Sequence, residues 1–288
     1  MAAYTTIDDP EAYFQVVTYT GNGSANNAIT LPGDTDMQPD FVWIKNRDAT
    51  DSHCLFDAVR GATNVMHSDT TAAEVTDTDT LDSFTSDGFQ VDADVKVNTN
   101  TEKYVAWCWK ANGSGSANTA GSINTIKTSA NTTSGFSICN WTGTAANGTI
   151  GHGIGIVPEM VLVHRVSGGA NNWRVTHKSV SATNEKVMVL NDNAAEYDDS
   201  GYFNDTAHTS TLVSLGSTTD TNFSGASMIA YCFAPVQGYS KFGSYTGNGN
   251  ADGTFVYTGF RPAWVFFKEN ATADNWVCVD NKRNAFNP

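Results

Sequence analysis

Apolar residues fall in short runs along the chain, and between the runs lie clusters of Gly, Asn, Asp, Ser and Thr. Residues 41–44 (Phe-Val-Trp-Ile) and 161–166 (Val-Leu-Val-His-Arg-Val) are rich in β-branched and aromatic side chains, which suit a pleated, half-buried surface. Residues 104–110 (Tyr-Val-Ala-Trp-Cys-Trp-Lys) are apolar at nearly every position, so this pattern predicts a strand buried on both faces. Asp87-Gly88, Asn112-Gly113, Asn147-Gly148 and Asp252-Gly253 are turn signals between such runs. No long run has helical periodicity with caps; residues 70–75 carry the one candidate for a short helical turn. Short strands with frequent turn chemistry predict an all-β chain of antiparallel β-sandwiches.

The runs also repeat. Tyr13-Phe-Gln-Val-Val-Thr-Tyr19-Thr-Gly21 matches Gly135-Phe-Ser-Ile-Cys-Asn-Trp141-Thr-Gly143 and Tyr239-Ser-Lys-Phe-Gly-Ser-Tyr245-Thr-Gly247. Pro39, Pro158 and Pro262 then each open an apolar run, followed by Ser52-His-Cys-Leu-Phe-Asp57, Asn172-Trp-Arg-Val-Thr-His177 and Asn275-Trp-Val-Cys-Val-Asp280. Asn98 before Tyr104-Val-Ala-Trp-Cys108 matches Asn222 before Met228-Ile-Ala-Tyr-Cys232. The period is that of a domain rather than of a solenoid repeat. Residues 1–113 and 135–238 read as two full sandwich units. Residues 114–134, rich in Ser, Thr, Asn and Gly, read as the linker between them, and residues 239–288 as a partial third unit. A lone half sandwich would leave an unpaired edge and an open core, so either the natural chain continues or another chain supplies the missing strands, and self-association is expected.

Composition narrows the partners. The 288 residues carry 16 Lys+Arg against 30 Asp+Glu, a net charge of −14. Non-specific phosphate contact needs clustered cations, so nucleic acid is not an expected partner. No apolar run is long enough to span a bilayer, and the N-terminal residues lack the basic-then-apolar pattern of a secretory signal. Cys54, Cys108, Cys139, Cys232 and Cys278 include no CxxC pair. They read as buried free thiols, with a disulfide as the alternative.

Candidate chemistry is sparse. Of the glutamates only Glu196-Tyr-Asp198 has the i, i+2 spacing that puts two carboxyls on one strand face, and it runs into an acidic turn. Asp77, Asp79 and Asp82 could supply oxygen ligands to Ca²⁺, as could Asn248, Asn250 and Asp252 before Gly253. The plainer readings are a solvated acidic loop and a hairpin turn. His53, His67, His152, His164, His177 and His208 form no HExxH or His-x-His pair, and His177 stands where the other units have Asp57 and Asp280. Gly151-His-Gly-Ile-Gly155 lacks the following helix a dinucleotide site requires. The seven tryptophans could stack on sugars if exposed, but their recurrence at matching positions favours packing. No catalytic residue, and no cofactor other than possible Ca²⁺, is expected.

The blocks Gln38-Pro-Asp-Phe-Val-Trp-Ile-Lys-Asn-Arg47, Leu55-Phe-Asp-Ala-Val-Arg-Gly61, Ser83-Phe-Thr-Ser-Asp-Gly-Phe-Gln-Val91 and Tyr104-Val-Ala-Trp-Cys-Trp-Lys-Ala111 resemble a repeated uncharacterised domain of tailed-bacteriophage structural proteins, especially those of marine phages. The resemblance is closest over residues 13–113. It weakens over 135–238, where Asp57-Ala-Val-Arg-Gly61 becomes His177-Lys-Ser-Val-Ser181. It implies a jelly-roll, lectin-like sandwich and a non-enzymatic virion role as tail fibre or tail appendage, among other virion proteins, and, for a fibre, a trimer as the plausible homo-oligomer. Capsid decoration, or a receptor-binding module for host-surface glycan, is the alternative. An extracellular depolymerase would need the carboxylate pair that only Glu196 and Asp198 offer.

Overall fold

The computed structural model describes residues 4–283. The chain is nearly all-β, 38% strand and 5% helix, and its antiparallel sheets are open. In the first unit the strands are β1 (Phe14–Thr20), β2 (Asn27–Thr30), β3 (Phe41–Asn46), β4 (Cys54–Asp57), β5 (Gly61–His67), β6 (Val75–Thr76), β7 (Leu81–Thr85) and β8 (Gly88–Val91). One helical turn, α1 (Val95–Asn98), then leads into β9 (Lys103–Trp109). The helical turn expected over 70–75 is not formed; that segment runs into β6, which pairs with β5. The second unit has β10 (Ser116–Asn118), β11 (Thr125–Asn131), β12 (Phe136–Thr142), β13 (Gly148–Gly151), β14 (Met160–Arg165), β15 (Arg174–His177), β16 (Lys186–Val189) and β17 (Tyr197–Asp198). It continues with α2 (Ser200–Phe203), β18 (Leu212–Leu215), α3 (Thr219–Asn222) and β19 (Ser227–Phe233). The third has β20 (Trp264–Phe267) and β21 (Val277–Asp280).

Sheet order repeats with the sequence. The first unit runs β1-β9-β3-β4-β5-β6, and the second embeds the equivalent β12-β19-β14-β15-β16-β17. Register repeats too. Phe41 pairs with Asp57, Met160 with His177 and Trp264 with Asp280, so β20 and β21 are the third copies of β3 and β4. In each full unit the closing strand lies between the first strand and the proline-led one, with Trp109 or Phe233 opposite Phe41 or Met160.

Because side chains alternate across a strand, each large sheet has two apolar faces. One face packs within its unit. In the first unit Val42, Ile44, Phe56 and Ala106 meet Ile29, Phe89 and Val91 of the sheet β2-β8-β7. In the second, Val161, Val163 and Ala230 meet Ile150, Val213 and Leu215 of β13-β18. The other faces meet each other. Phe41, Trp43, Trp107 and Trp109 share one core with Phe136, Leu162, Trp173 and Tyr231, and Trp264, Phe266 and Trp276 of the third unit pack onto it. Phe41 stacks on Tyr231 with centroids 4.4 Å apart, and Trp109 meets Trp264 edge-on at 5.3 Å.

Residues 114–134, expected as a linker, instead carry β10 and β11, which extend the second sheet beside β12. The inward positions here are small hydroxyl residues rather than large apolar ones. Thr125 and Thr128 are buried and share a 2.7 Å hydrogen bond, and buried Ser129 accepts one from Asn112 N at 2.7 Å. Polar satisfaction rather than hydrophobic periodicity places this strand. The segment from Tyr239 to Gly247, expected to repeat β1, forms only a bridge at Ser240 before turning irregular. β1 and β12 are held by ladders to β9 and β19, and no equivalent strand lies beside β20 among the described residues.

All five cysteines are free; four are buried and Cys278 is half-buried. Burial pushes the Cys54 and Cys108 thiols well above their ordinary range and Cys278 up to about 12. The hydrogen bond with Cys232 lowers the Cys139 thiol, but that thiol is fully buried. Since the thiolate is the reactive form and must also meet the reagent, a maleimide at neutral pH should modify no more than one thiol of the native protein, and all five after denaturation. Rapid labelling of three or more in the native state would show that these strands open readily.

Candidate functional site

A buried cluster of ionisable groups sits where the first two units meet. Asp57 ends β4, and Arg60 follows after a tight turn in which Asp57 Oδ1 accepts from the backbone N–H groups of Val59 and Arg60 at 3.0 and 2.9 Å. Asp57 Oδ2 accepts from Arg60 Nε at 2.5 Å and from the Tyr231 hydroxyl of the second unit at 2.7 Å. Arg60 also donates to Glu74 at 2.8 Å and to the carbonyls of Asn64 and Leu55, each at 2.9 Å. The Asp57 and Arg60 side chains are 0% and 3% exposed. Burial alone would lower the Arg60 guanidinium, but Asp57, Tyr231 and Glu74 outweigh it and hold the group firmly protonated. Burial, the adjacent carboxylate and the hydrogen bond to it likewise raise the Tyr231 hydroxyl, despite the opposing pull of Arg60. The Asp57, Arg60 and Tyr231 side chains are spent on one another and on neighbouring protein groups, so the arrangement joins two units.

The same junction is built again with the third unit. Asp280 and Arg283 form the matching pair at 2.5 Å, and Trp107 of the first unit donates to Asp280 Oδ2 at 3.2 Å, as Tyr231 does to Asp57. Trp173 of the second unit donates to His67 O of the first at 2.9 Å, and Trp276 of the third donates to Val189 O of the second at 2.7 Å. His67 and Val189 hold equivalent places in their ladders. The Glu74 amide donates to Val166 O, and the Glu196 amide to Asn270 O. Second touches first, third touches second and first touches third in one consistent sense, so the three units form a ring around the shared aromatic core.

The residues singled out from sequence scatter over this frame. Asp77 and Asp79 accept backbone N–H bonds within their own loop and from Ala93, whereas Asp82 is exposed on β7. Asn248 donates to Asp252 O at 2.8 Å and accepts from Asn250 N at 3.0 Å, which closes a turn on itself. Among the described residues no group of three or more His, Cys, Asp or Glu side chains is placed to hold a metal. Because the Asp77, Asp79 and Asn248 oxygens already accept backbone amides, adding Ca²⁺ or EDTA is expected to shift the melting temperature by less than about 1 °C. By ligand linkage a filled site would move it several degrees, and such a shift would assign Ca²⁺ to one of these loops. Glu196 is tied to Lys186 at 2.6 Å and to Asn270, while Asp198 is exposed. Five of the seven tryptophans are buried, and Trp264 and Trp276 pack against the central core.

A family model described as Domain of unknown function (DUF7483) matches residues 9–288. The chain belongs to that family. No curated protein and no solved structure matches it. The match to this domain of unknown function runs through all three units, so the ring lies within the family's span.

Sequence reasoning missed two kinds of residue. Asp57 and Arg60 appeared only as letters in a repeated block, although their recurrence as Asp280 and Arg283 was the available signal. Asn98 and Asn222 were noted for spacing alone. Both are fully buried and clamp the turn after the first strand: Asn98 Oδ1 accepts from Asn22 N, and Asn222 Oδ1 from Thr144 N. That clamp explains Gly21 and Gly143, where a Cβ would stand 2.2 Å from Thr99 O and 2.1 Å from Phe223 O.

Proposed function

We propose that this chain is a non-enzymatic structural protein of a tailed-bacteriophage virion, a tail-fibre or tail-appendage component built of jelly-roll-like β-sandwich units. The observation that carries this reading is the ring: three repeated units spend their aromatic and ionisable side chains on one another. A part used this way bears load, because separating the first unit from either of the others exposes apolar surface and uncovers an aspartate–arginine pair, and separating the second from the third exposes apolar surface. The family resemblance of the blocks around Phe41, Phe56 and Trp107 supplies the virion context. The sandwich reading is supported by the packing of β2-β8-β7 and of β13-β18 over the outer faces of the two large sheets. The net charge of −14 suits an outward-facing part that repels nucleic acid.

Electron cryomicroscopy of particles carrying the tagged chain tests the proposal. Density on the tail or its appendages is the expected result. Density on the head lattice would make it a decoration protein, and absence from purified particles would end the virion reading. Release of reducing sugar from host polysaccharide by the purified chain would overturn the non-enzymatic reading.

A further inference from the structure

Asn-Gly steps occur at residues 22–23, 112–113, 147–148 and 248–249. Such a step can rearrange without an enzyme. The glycine amide nitrogen gives up its proton and attacks the asparagine side-chain carbon Cγ; a C–N bond forms and ammonia leaves. Water then opens the cyclic imide to aspartate or to isoaspartate. Glycine permits the attack because no Cβ crowds its nitrogen. The fold adds two conditions. The carboxamide must be free to swing back onto the main chain, and the glycine N–H must not already be held by an acceptor.

Three of the four steps fail these conditions. Asn22 Oδ1 accepts from Ser24 N at 2.9 Å and from Asn98 Nδ2 at 3.1 Å, and the Gly23 amide donates to Asn98 O at 2.9 Å. Asn147 Nδ2 donates to Asn204 Oδ1. Gly148 opens β13 opposite Leu215; the next amide, Thr149 N, turns away to Ser122 Oγ at 2.9 Å, so by alternation the Gly148 N–H faces β18. Asn248 donates to Asp252 O at 2.8 Å and accepts from Asn250 N at 3.0 Å, so its carboxamide is pinned at both ends.

Asn112 differs. Its main chain is anchored, because its amide donates to Ser129 Oγ at 2.7 Å and the Ala111 amide to Asp40 Oδ2 at 2.8 Å. The residue is nevertheless exposed, and among the described residues neither its carboxamide nor the Gly113 N–H meets a hydrogen-bonding partner. Gly113 has a φ of +60°, and a Cβ built there would have nothing within 4 Å, so the turn is open around it.

We infer that Asn112 is a self-modification site, at which the Gly113 nitrogen displaces ammonia and a carboxylate replaces the carboxamide. Its place in the chain gives the change a consequence. Residues 112–115 carry the chain from β9 of the first unit into β10 of the second. An isoaspartyl link adds a methylene to the main chain between the Ala111 anchor and Ser116. β10 has only three residues, lies at the edge of its sheet and pairs irregularly with β11, so it is the element that yields. The modified chain loosens β10 from β11 and leaves β12 and β19 paired.

The test is ageing of the purified whole chain in mildly alkaline buffer, followed by peptide mapping with mass spectrometry. Each Asn-Gly peptide is scored for the amide-to-acid mass gain and for isoaspartate. In the native chain Asn112 should convert about tenfold faster than Asn22, Asn147 or Asn248, the factor that holding by one hydrogen bond implies. In urea the four should convert at rates within a few-fold of one another. Hydrogen exchange at residues 116–118 should quicken in the aged chain and stay unchanged in an equally aged Asn112→Gln chain. Conversion of Asn112 no faster than that of the other three in the native chain would overturn the inference. Unchanged exchange at residues 116–118 in the converted chain would overturn the loosening of β10.

Discussion

Asp57→Ala should destabilise the protein by about 3–5 kcal/mol, the usual cost of removing one partner from a buried ion pair. Asp57 is wholly buried and accepts four hydrogen bonds: two backbone amides, the Arg60 guanidinium and the Tyr231 hydroxyl. Alanine removes all four acceptors at once. The guanidinium keeps Glu74 and two carbonyls but loses its closest anion, and it cannot shed its proton to escape. Tyr231→Phe should cost less, about 1–3 kcal/mol, because it removes one hydroxyl and leaves the ion pair intact. Lys178→Ala provides the reference: its pair with Glu159 lies at the surface with the lysine 56% exposed, so a change under about 1 kcal/mol is expected. Urea unfolding of the three variants measures this. If Asp57→Ala costs no more than Lys178→Ala, the junction contributes only geometry, and the ring rests on its aromatic core alone.

Much of the fold was readable because repetition amplified weak signals. The short runs at Phe41, Met160 and Trp264 are individually ambiguous between a buried strand and a buried helix segment. Appearing three times, each after a proline and before a matched second run, they could be placed in register before any coordinate. What could not be read was the relation between units. A residue such as Trp107 looks the same whether its ring packs within its own unit or against another, since both environments are dry and aromatic. Strand alternation says that two faces are apolar without saying what covers each one. The ring therefore emerged only from contacts such as Trp173 to His67 and Trp276 to Val189. β11 was hidden for a different reason: its buried positions are Thr and Ser, whose hydroxyls satisfy one another, so the sequence resembles a linker. The calcium candidates were legible only as residue types, because whether a turn spends its own Asx oxygens on backbone amides, as Asn248 does, is set by the turn's conformation.

Stability should fall steeply as the pH drops from about 6.5 toward 4, with buried histidines as the cause. Burial lowers His53 to about 4 and both His164 and His208 to about 3, and it lowers His152 as well. The hydrogen bonds demand the neutral ring. Nδ1 of His53 accepts from Trp43 Nε1 at 2.9 Å, Nδ1 of His152 from Ile154 N at 3.3 Å, and Nδ1 of His208 from Ser214 N at 3.2 Å. A proton on any of these atoms would face an N–H. His164 lies stacked on Trp173 at 4.3 Å with neither ring nitrogen hydrogen-bonded, and the Arg60 charge further disfavours its cation. In the unfolded chain all of these rings titrate near the ordinary value, about 6.5. Between that value and the folded ones the unfolded state binds more protons, so lowering the pH favours unfolding. The stabilising effect is thus complete above about 6.5 and drains away as the pH falls to the folded values. By linkage each deeply depressed histidine contributes about 2 kcal/mol of this loss at a pH of about 5. Melting curves between pH of about 7.5 and 4.5 should show the decline beginning near 6.5. His208→Gln, whose amide can keep one of the two hydrogen bonds, should start from a lower melting temperature and decline less steeply. A melting temperature that stays level to a pH of about 5 would mean that these rings reach solvent and titrate in the folded protein.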